Sequence, residues 1–224
     1  IWDRAALDAL RRSFPDDNSG STIMLTTRMP DLASQADWTA HIPSLNHHES
    51  WHLLCRKAFG DTDLPHELRS IGEKLVKYCH GVPLAIFLMA GVLEKNKRNL
   101  SYWVKMVETL LSDRDPDRNV LFSALKIACD SLLDHLKLCF RYLGEFLEDK
   151  EIPARKLCGL WITNGLIQET ESKAPEDVAE EYLLEIISRN LVIISRRTHN
   201  GRVRGCRVHD VVSRSMKRGE LLLS

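Results

Sequence analysis

Leu191 to Val208 reads LVIISRRTHNGRVRGCRV, two short runs able to pair around a turn. Leu191 to Ser195 is apolar and β-branched, and Val203 to Val208 is a weaker strand. Between them His199-Asn200-Gly201 supplies the Asn-Gly signal of a tight hairpin. Asp210 follows and can cap a last helix running through Met216. Upstream the period is helical. Val120 to Phe146 holds two helical stretches broken near Asp134, and Pro153 to Ile167 has proline in its first turn. Pro175 to Arg189 turns Val178, Tyr182, Leu183, Ile186 and Ile187 inward. Helices followed by a β hairpin form a winged-helix pattern.

Further towards the N-terminus, Asp113-Arg114-Asp115-Pro116-Asp117-Arg118 is charged and broken by proline, which makes it a linker. Before it, His48 to Phe59 carries Trp51, Leu54, Cys55 and Phe59 on one side, and Pro65 to His80 carries Leu68, Ile71, Leu75 and Tyr78. Pro83 to Leu93 is apolar nearly all round, as a central buried helix would be, and Tyr102 to Leu111 is amphipathic. Residues 1–42 read as the back half of an α/β unit. A helix over Trp2 to Phe14 uses Ala6, Leu7, Leu10 and Phe14, and the turn formers of residues 15–20 end it. Thr22 to Thr27 then suits a buried parallel strand, with Arg28 at its C-terminal end, the edge where open α/β sheets bind ligands.

Lys plus Arg and Asp plus Glu each number 31 in the 224 residues, so no net charge argues for a general polyanion binder. Hydrophobic residues make up 44% and charged ones 28%, an ordinary soluble composition. Cys55, Cys79, Cys129, Cys139, Cys158 and Cys206 are dispersed and form no CxxC pair, which reads as buried thiols in a reducing compartment. Val82 to Leu93 is the longest apolar stretch and is too short for a bilayer, which takes about 20 residues. His47, His48 and His52 cluster, but no cysteine or carboxylate constellation completes a metal site. No spacing supports a nucleophilic triad, and the chain opens at Ile1 rather than Met, so a longer protein is expected.

The segment Gly20-Ser21-Thr22-Ile23-Met24-Leu25-Thr26-Thr27-Arg28 resembles the GSxIxxTTR motif of NB-ARC ATPases, the switch module of plant intracellular immune receptors. Ser50 to Leu54 with Ala58-Phe59 is similar to the following helix motif, and Gly81-Val82-Pro83-Leu84-Ala85 to GLPLA. Cys139-Phe140, Phe146, Leu160-Trp161-Ile162 and Gly165-Leu166-Ile167 resemble the family's winged-helix signature, and Val208-His209-Asp210 stands where the family has Met-His-Asp. Leu147 replaces the family's usual proline and Val208 its methionine. The phosphate-cradling GxxxxGK[ST] loop and the tandem acids of the Walker B strand are absent, and Ile1-Trp2-Asp3 resembles the residues just after those acids.

The resemblance implies a mainly α fold with a small α/β remnant. Residues 1–42 would end a P-loop-type nucleotide-binding domain, 43–118 would be a helical subdomain and 119–224 a winged-helix subdomain. It implies ADP or ATP as ligand, with Mg in the intact protein, and no tight binding or catalysis by this segment alone, because phosphoryl transfer needs the missing parts. Arg28 and Thr27 would sense the terminal phosphate, Pro83 and Leu84 would pack near the adenine, and His209 would donate to a diphosphate. Asp210, Gly81 and Trp161 would be structural or switch residues. Implied partners are the upstream nucleotide-binding half, an N-terminal signalling domain that Leu160-Trp161 inclines to the coiled-coil type, C-terminal leucine-rich repeats, and further copies on activation, all in the cytoplasm. Two alternatives are a winged-helix DNA-binding protein and a helical scaffold without nucleotide. Arg196, Arg197, Arg202, Arg204, Arg207, Arg214, Lys217 and Arg218 around the wing favour DNA. The helix in the recognition position opposes it, because Glu176, Asp177, Glu180, Glu181 and Glu185 would face phosphate with one arginine among them.

Overall fold

A computed structural model describes residues 4–14, 20–27, 29–60, 65–96, 99–112, 119–146, 150–168 and 172–217. Arg28, Leu147, Arg218, Ile1-Trp2-Asp3, the turn at 15–19 and the linker at 113–118 therefore lie outside the described residues. The chain divides into two compact units, Ile1–Pro43 and Ser44–Ser224.

In the first unit, helix α1 (Arg4–Ser13) buries Leu7, while Ala6 is exposed and Phe14 beyond its end is 61% exposed. Helix α2 (Pro30–Ala33) is one turn long, and Arg11 of α1 donates to the Gln35 carbonyl just past it. The expected buried strand over Thr22 to Thr27 is not found: these residues lack strand pairing and Met24 is 90% exposed. A β-branched run becomes a strand only when another strand accepts its ladder, and none of the unit's described residues does so.

The second unit opens with α3 (His47–Phe59), begun by a capping box in which Asn46 and Glu49 satisfy each other's backbone amides. Helices α4 (His66–Tyr78), α5 (Pro83–Lys95) and α6 (Leu100–Ser112) follow where the apolar spacing places them. Helix α5 is the core, with Ala85, Ile86, Leu88, Met89, Ala90, Val92 and Leu93 all fully buried. Its approach is set by Gly81, which has φ 71° and whose carbonyl accepts from Leu45 N–H at 3.0 Å. A side chain there would be strained and would run into the Leu45 backbone. Gly81→Ala is expected to cost about 2–3 kcal/mol, read as a lower urea midpoint at unchanged slope.

Helices α7 (Val120–Asp130) and α8 (Asp134–Tyr142) break at residues 131–133, beside the expected Asp134, and a single 3-10 turn (Leu143–Glu145) continues α8. Helix α9 (Ala154–Thr163) stops four residues before the expected Ile167. Gly165 at φ 66° lets its N–H reach the Ile162 carbonyl and Leu166 N–H reach that of Trp161, a Schellman ending. Leu166 and Ile167 still pack against the core, so their apolar character belonged to the turn. Pro153 is not in the helix either. It lies in a short strand β1 (Ile152–Pro153), which pairs with the hairpin and which sequence spacing does not suggest.

Helix α10 (Pro175–Ser188) leads into β2 (Val192–Arg197) and β3 (Val203–Val208), with sheet order β1-β3-β2, all antiparallel. Thr198 N–H bonds the Arg202 carbonyl across the hairpin loop, and helix α11 (Asp210–Lys217) follows. The cysteines are all free; burial pushes Cys79, Cys129, Cys139 and Cys206 up to about 12, leaving inert thiols.

Helices α5 and α10 meet at a seam with no room to spare. A Cβ on Gly91 would stand 2.7 Å from the Arg189 main-chain carbon. Asn190, at φ 59°, donates its side-chain amide to the Phe87 carbonyl at 2.6 Å, and Arg189, 7% exposed, reaches the Ser131 carbonyl at 2.7 Å. Glu185 joins Lys95 at 2.8 Å and Arg189 at 2.9 Å. Burial pushes its carboxyl up, but the two cationic donors outweigh burial and hold it below the ordinary 4.5. A lowered acid stabilises the fold fully above its unfolded value and loses that contribution as pH falls through the folded one. The wild-type thermal midpoint should therefore fall further than that of Glu185→Gln between about pH 6 and pH 3.

Candidate functional site

The junction between β3 and α11 assembles a three-residue chain of charge. Val208 is tied to Val192 in the sheet, and the His209 carbonyl accepts the first bond of α11 from Ser213 N–H at 2.9 Å. The backbone of His209 is thus fixed from both sides. Its Nδ1 lies 2.6 Å from Asp210 Oδ1, and Asp210 Oδ2 lies 3.0 Å from Arg214 Nη2. Arg214 Nε also donates to the Asp210 carbonyl at 3.4 Å. The Asp210 side chain is 10% exposed, whereas those of His209 and Arg214 are 36% and 42% exposed. A carboxylate is buried between a ring that still reaches the surface and a guanidinium that neutralises it.

Asp210 stands as the first residue of α11 rather than as the residue before it, and its carboxylate engages His209 and Arg214. The residue before the helix is His209, whose Nδ1 lies 3.4 Å from the Val211 nitrogen as well as 2.6 Å from Asp210 Oδ1. Arg214 is the member that sequence reasoning passed over as wing charge. The signal was there, because an acid four residues before an arginine meets it on a helix face.

Gly81, Pro83 and Leu84 come together at the start of α5, where Pro83 is the exposed first residue, Leu84 is half-buried and Gly81 is buried. Thr27 belongs to the first unit, where its hydroxyl accepts from Met29 N–H at 3.1 Å. Trp161 is fully buried on α9, and its indole N–H has no hydrogen-bond partner among the described residues. His47, His48 and His52 all lie at α3, and no group of three potential ligands among the described residues could hold a metal.

Residues 1–64 match the NB-ARC domain, and residues 146–214 match the Disease resistance protein Winged helix domain. Two putative late blight resistance protein homologues of Solanum demissum are each 38% identical over 216 residues, covering 95% of this chain and 16% of theirs. A third homologue of the same description and species is 37% identical over 95% of this chain and 17% of its own. The chain belongs to the NB-ARC disease-resistance family. It spans about a sixth of the length of the curated relatives it matches.

NB-ARC domains are nucleotide-binding modules, and in this NB-ARC chain several arginines of the wing are engaged within the chain itself. Arg196 pairs with Glu151, Arg202 with Glu180 at 3.8 Å and Arg214 with Asp210, while Arg197 donates to the Gly201 carbonyl. The one arginine of the acidic α10 region, Arg189, is buried against Ser131. Among the described residues no helix is long and apolar enough to cross a membrane. In an anisotropy titration, duplex DNA should bind weakly, without sequence preference and with a steep loss on adding salt. A selective site at physiological salt would contradict this.

Proposed function

We propose that the chain is part of the ADP/ATP-dependent switch of a plant intracellular immune receptor, held closed by ADP and opened when ATP favours an oligomerising form. What supports the reading most is the placement of Val208-His209-Asp210: a half-exposed imidazole, fixed at a strand–helix junction and backed by a buried carboxylate, in the family's Met-His-Asp position. In this reading residues 1–42 complete a nucleotide-binding domain, 43–118 form a helical subdomain and 119–224 a winged-helix subdomain. His209 meets the diphosphate from the winged helix. Pro83 and Leu84 pack by the adenine at the start of α5, and Arg28, beside Thr27, reports the terminal phosphate. The remaining phosphate ligands come from an upstream half of the same cytoplasmic protein. An N-terminal signalling domain and leucine-rich repeats supply output and recognition.

This division of labour makes the chain alone no enzyme, because positioning and charge stabilisation of the phosphoryl group depend on the P-loop lysine and the magnesium-binding acids. The purified chain should show no nucleoside-triphosphatase turnover and only feeble ADP binding by calorimetry. Turnover abolished by Arg28→Ala would overturn the reading.

A further inference from the structure

We infer that Arg214 is the positioning residue of this junction: through Asp210 it fixes which nitrogen of the His209 ring carries the proton. Its functional meaning rests on the switch reading above, but its geometry does not.

His209 Nδ1 has two candidate partners, and they demand opposite things of it. The Asp210 carboxylate at 2.6 Å accepts, so it needs a proton on Nδ1; Val211 N–H at 3.4 Å donates, so it needs a lone pair there. One nitrogen cannot serve both. The bond to the carboxylate is charge-assisted and 0.8 Å shorter (3.4 less 2.6), so the proton sits on Nδ1. That outcome holds only while Oδ1 faces the ring. Arg214 ensures it by engaging Oδ2 through Nη2 and the Asp210 main-chain carbonyl through Nε, a two-point hold that fixes both the carboxylate and the backbone behind it. With Nδ1–H committed to Asp210, a neutral His209 presents a lone pair at Nε2, and the ring donates from Nε2 to an anion only as imidazolium. Arg214 thus sets the terms on which His209 can meet a phosphate.

The test is the nitrogen spectrum of the chain labelled with 15N-histidine, recorded near pH 8.5, where an ordinary histidine is neutral. The His209 signals are assigned by their loss in His209→Gln. Wild type should show the Nδ1-protonated pattern. Asp210→Asn keeps the side chain's shape; Arg214 holds the amide oxygen, so the amide NH2 faces the ring and the proton moves to Nε2. Arg214→Gln should also lose most of the Nδ1-protonated signal as Val211 N–H takes over Nδ1, and Arg214→Lys, which keeps the charge, should recover part of it. An Nε2-protonated wild type overturns the inference, and so does a pattern unchanged in Asp210→Asn or in Arg214→Gln. If Arg214→Gln fails to fold, Arg214→Lys decides: its single ammonium cannot hold both Oδ2 and the Asp210 carbonyl, so part of the Nδ1-protonated signal should be lost, and a wild-type pattern in Arg214→Lys overturns the inference. ADP release from the receptor is a separate measurement: a wild-type rate in His209→Ala removes the switch reading and leaves the role of Arg214 standing.

Discussion

Replacing His209 by alanine in the full-length receptor is expected to give cell death in leaf tissue without a pathogen, together with faster ADP release. A hydrogen bond from the ring to the β-phosphate stabilises only the closed state. Bonds to charged groups contribute about 1.5–3 kcal/mol. Since about 1.4 kcal/mol is a factor of ten, removing the bond raises the open population by roughly one to two orders of magnitude. Charge reversal at Asp210 should act in the same direction, since it removes the partner of His209 and repels Arg214. Arg28→Ala should act oppositely, because a guanidinium that senses the terminal phosphate favours only the ATP state. The paired measurement is cell death after transient expression and ADP release from purified protein. If His209→Ala is silent and releases ADP at the wild-type rate, the histidine is a packing residue and the assignment fails.

The second large effect is on folding. Trp161 is fully buried on α9, so Trp161→Ala should cost about 3–5 kcal/mol, a large fraction of a domain's stability. The indole N–H is unpaired among the described residues, so nothing polar is lost when the ring is replaced by phenylalanine. Trp161→Phe should therefore keep most of the stability that alanine removes. Equal losses for the two variants in urea unfolding would mean that the N–H has a partner and that Trp161 is more than packing.

Much of the helical layer was legible because the helices of the second unit span two or more turns, most with their apolar residues on one side, and α5 announced its burial by lacking a polar face. The hairpin was legible from Asn200-Gly201. Elements decided by a distant partner were not. Strand β1 is two residues long, one of them proline, and exists because Cys206 and Gly205 of β3 lie opposite it. Thr22 to Thr27 has strand chemistry but no ladder among the described residues. At the site, His209 and Asp210 could be named from their resemblance to a motif, whereas the direction of the Asp210 carboxylate depends on its burial and on Arg214, which no pattern of residue types specifies. The end of α9 was written in Gly165 but masked by the apolar pair that follows it.

The seam at Gly91 has a genetic consequence. A methyl group at this position meets the carbonyl carbon, oxygen and Cα of residue 189, all of them main chain. Every amino acid carries those atoms, so no exchange of side chain at position 189 can make room. Lesions of Gly91 should therefore have no compensating partner at the point of contact. Revertants of Gly91→Ala should map instead to residues that tie the two helices from the side, Asn190, Glu185 and Lys95, where loosening a tie lets α10 draw away from α5.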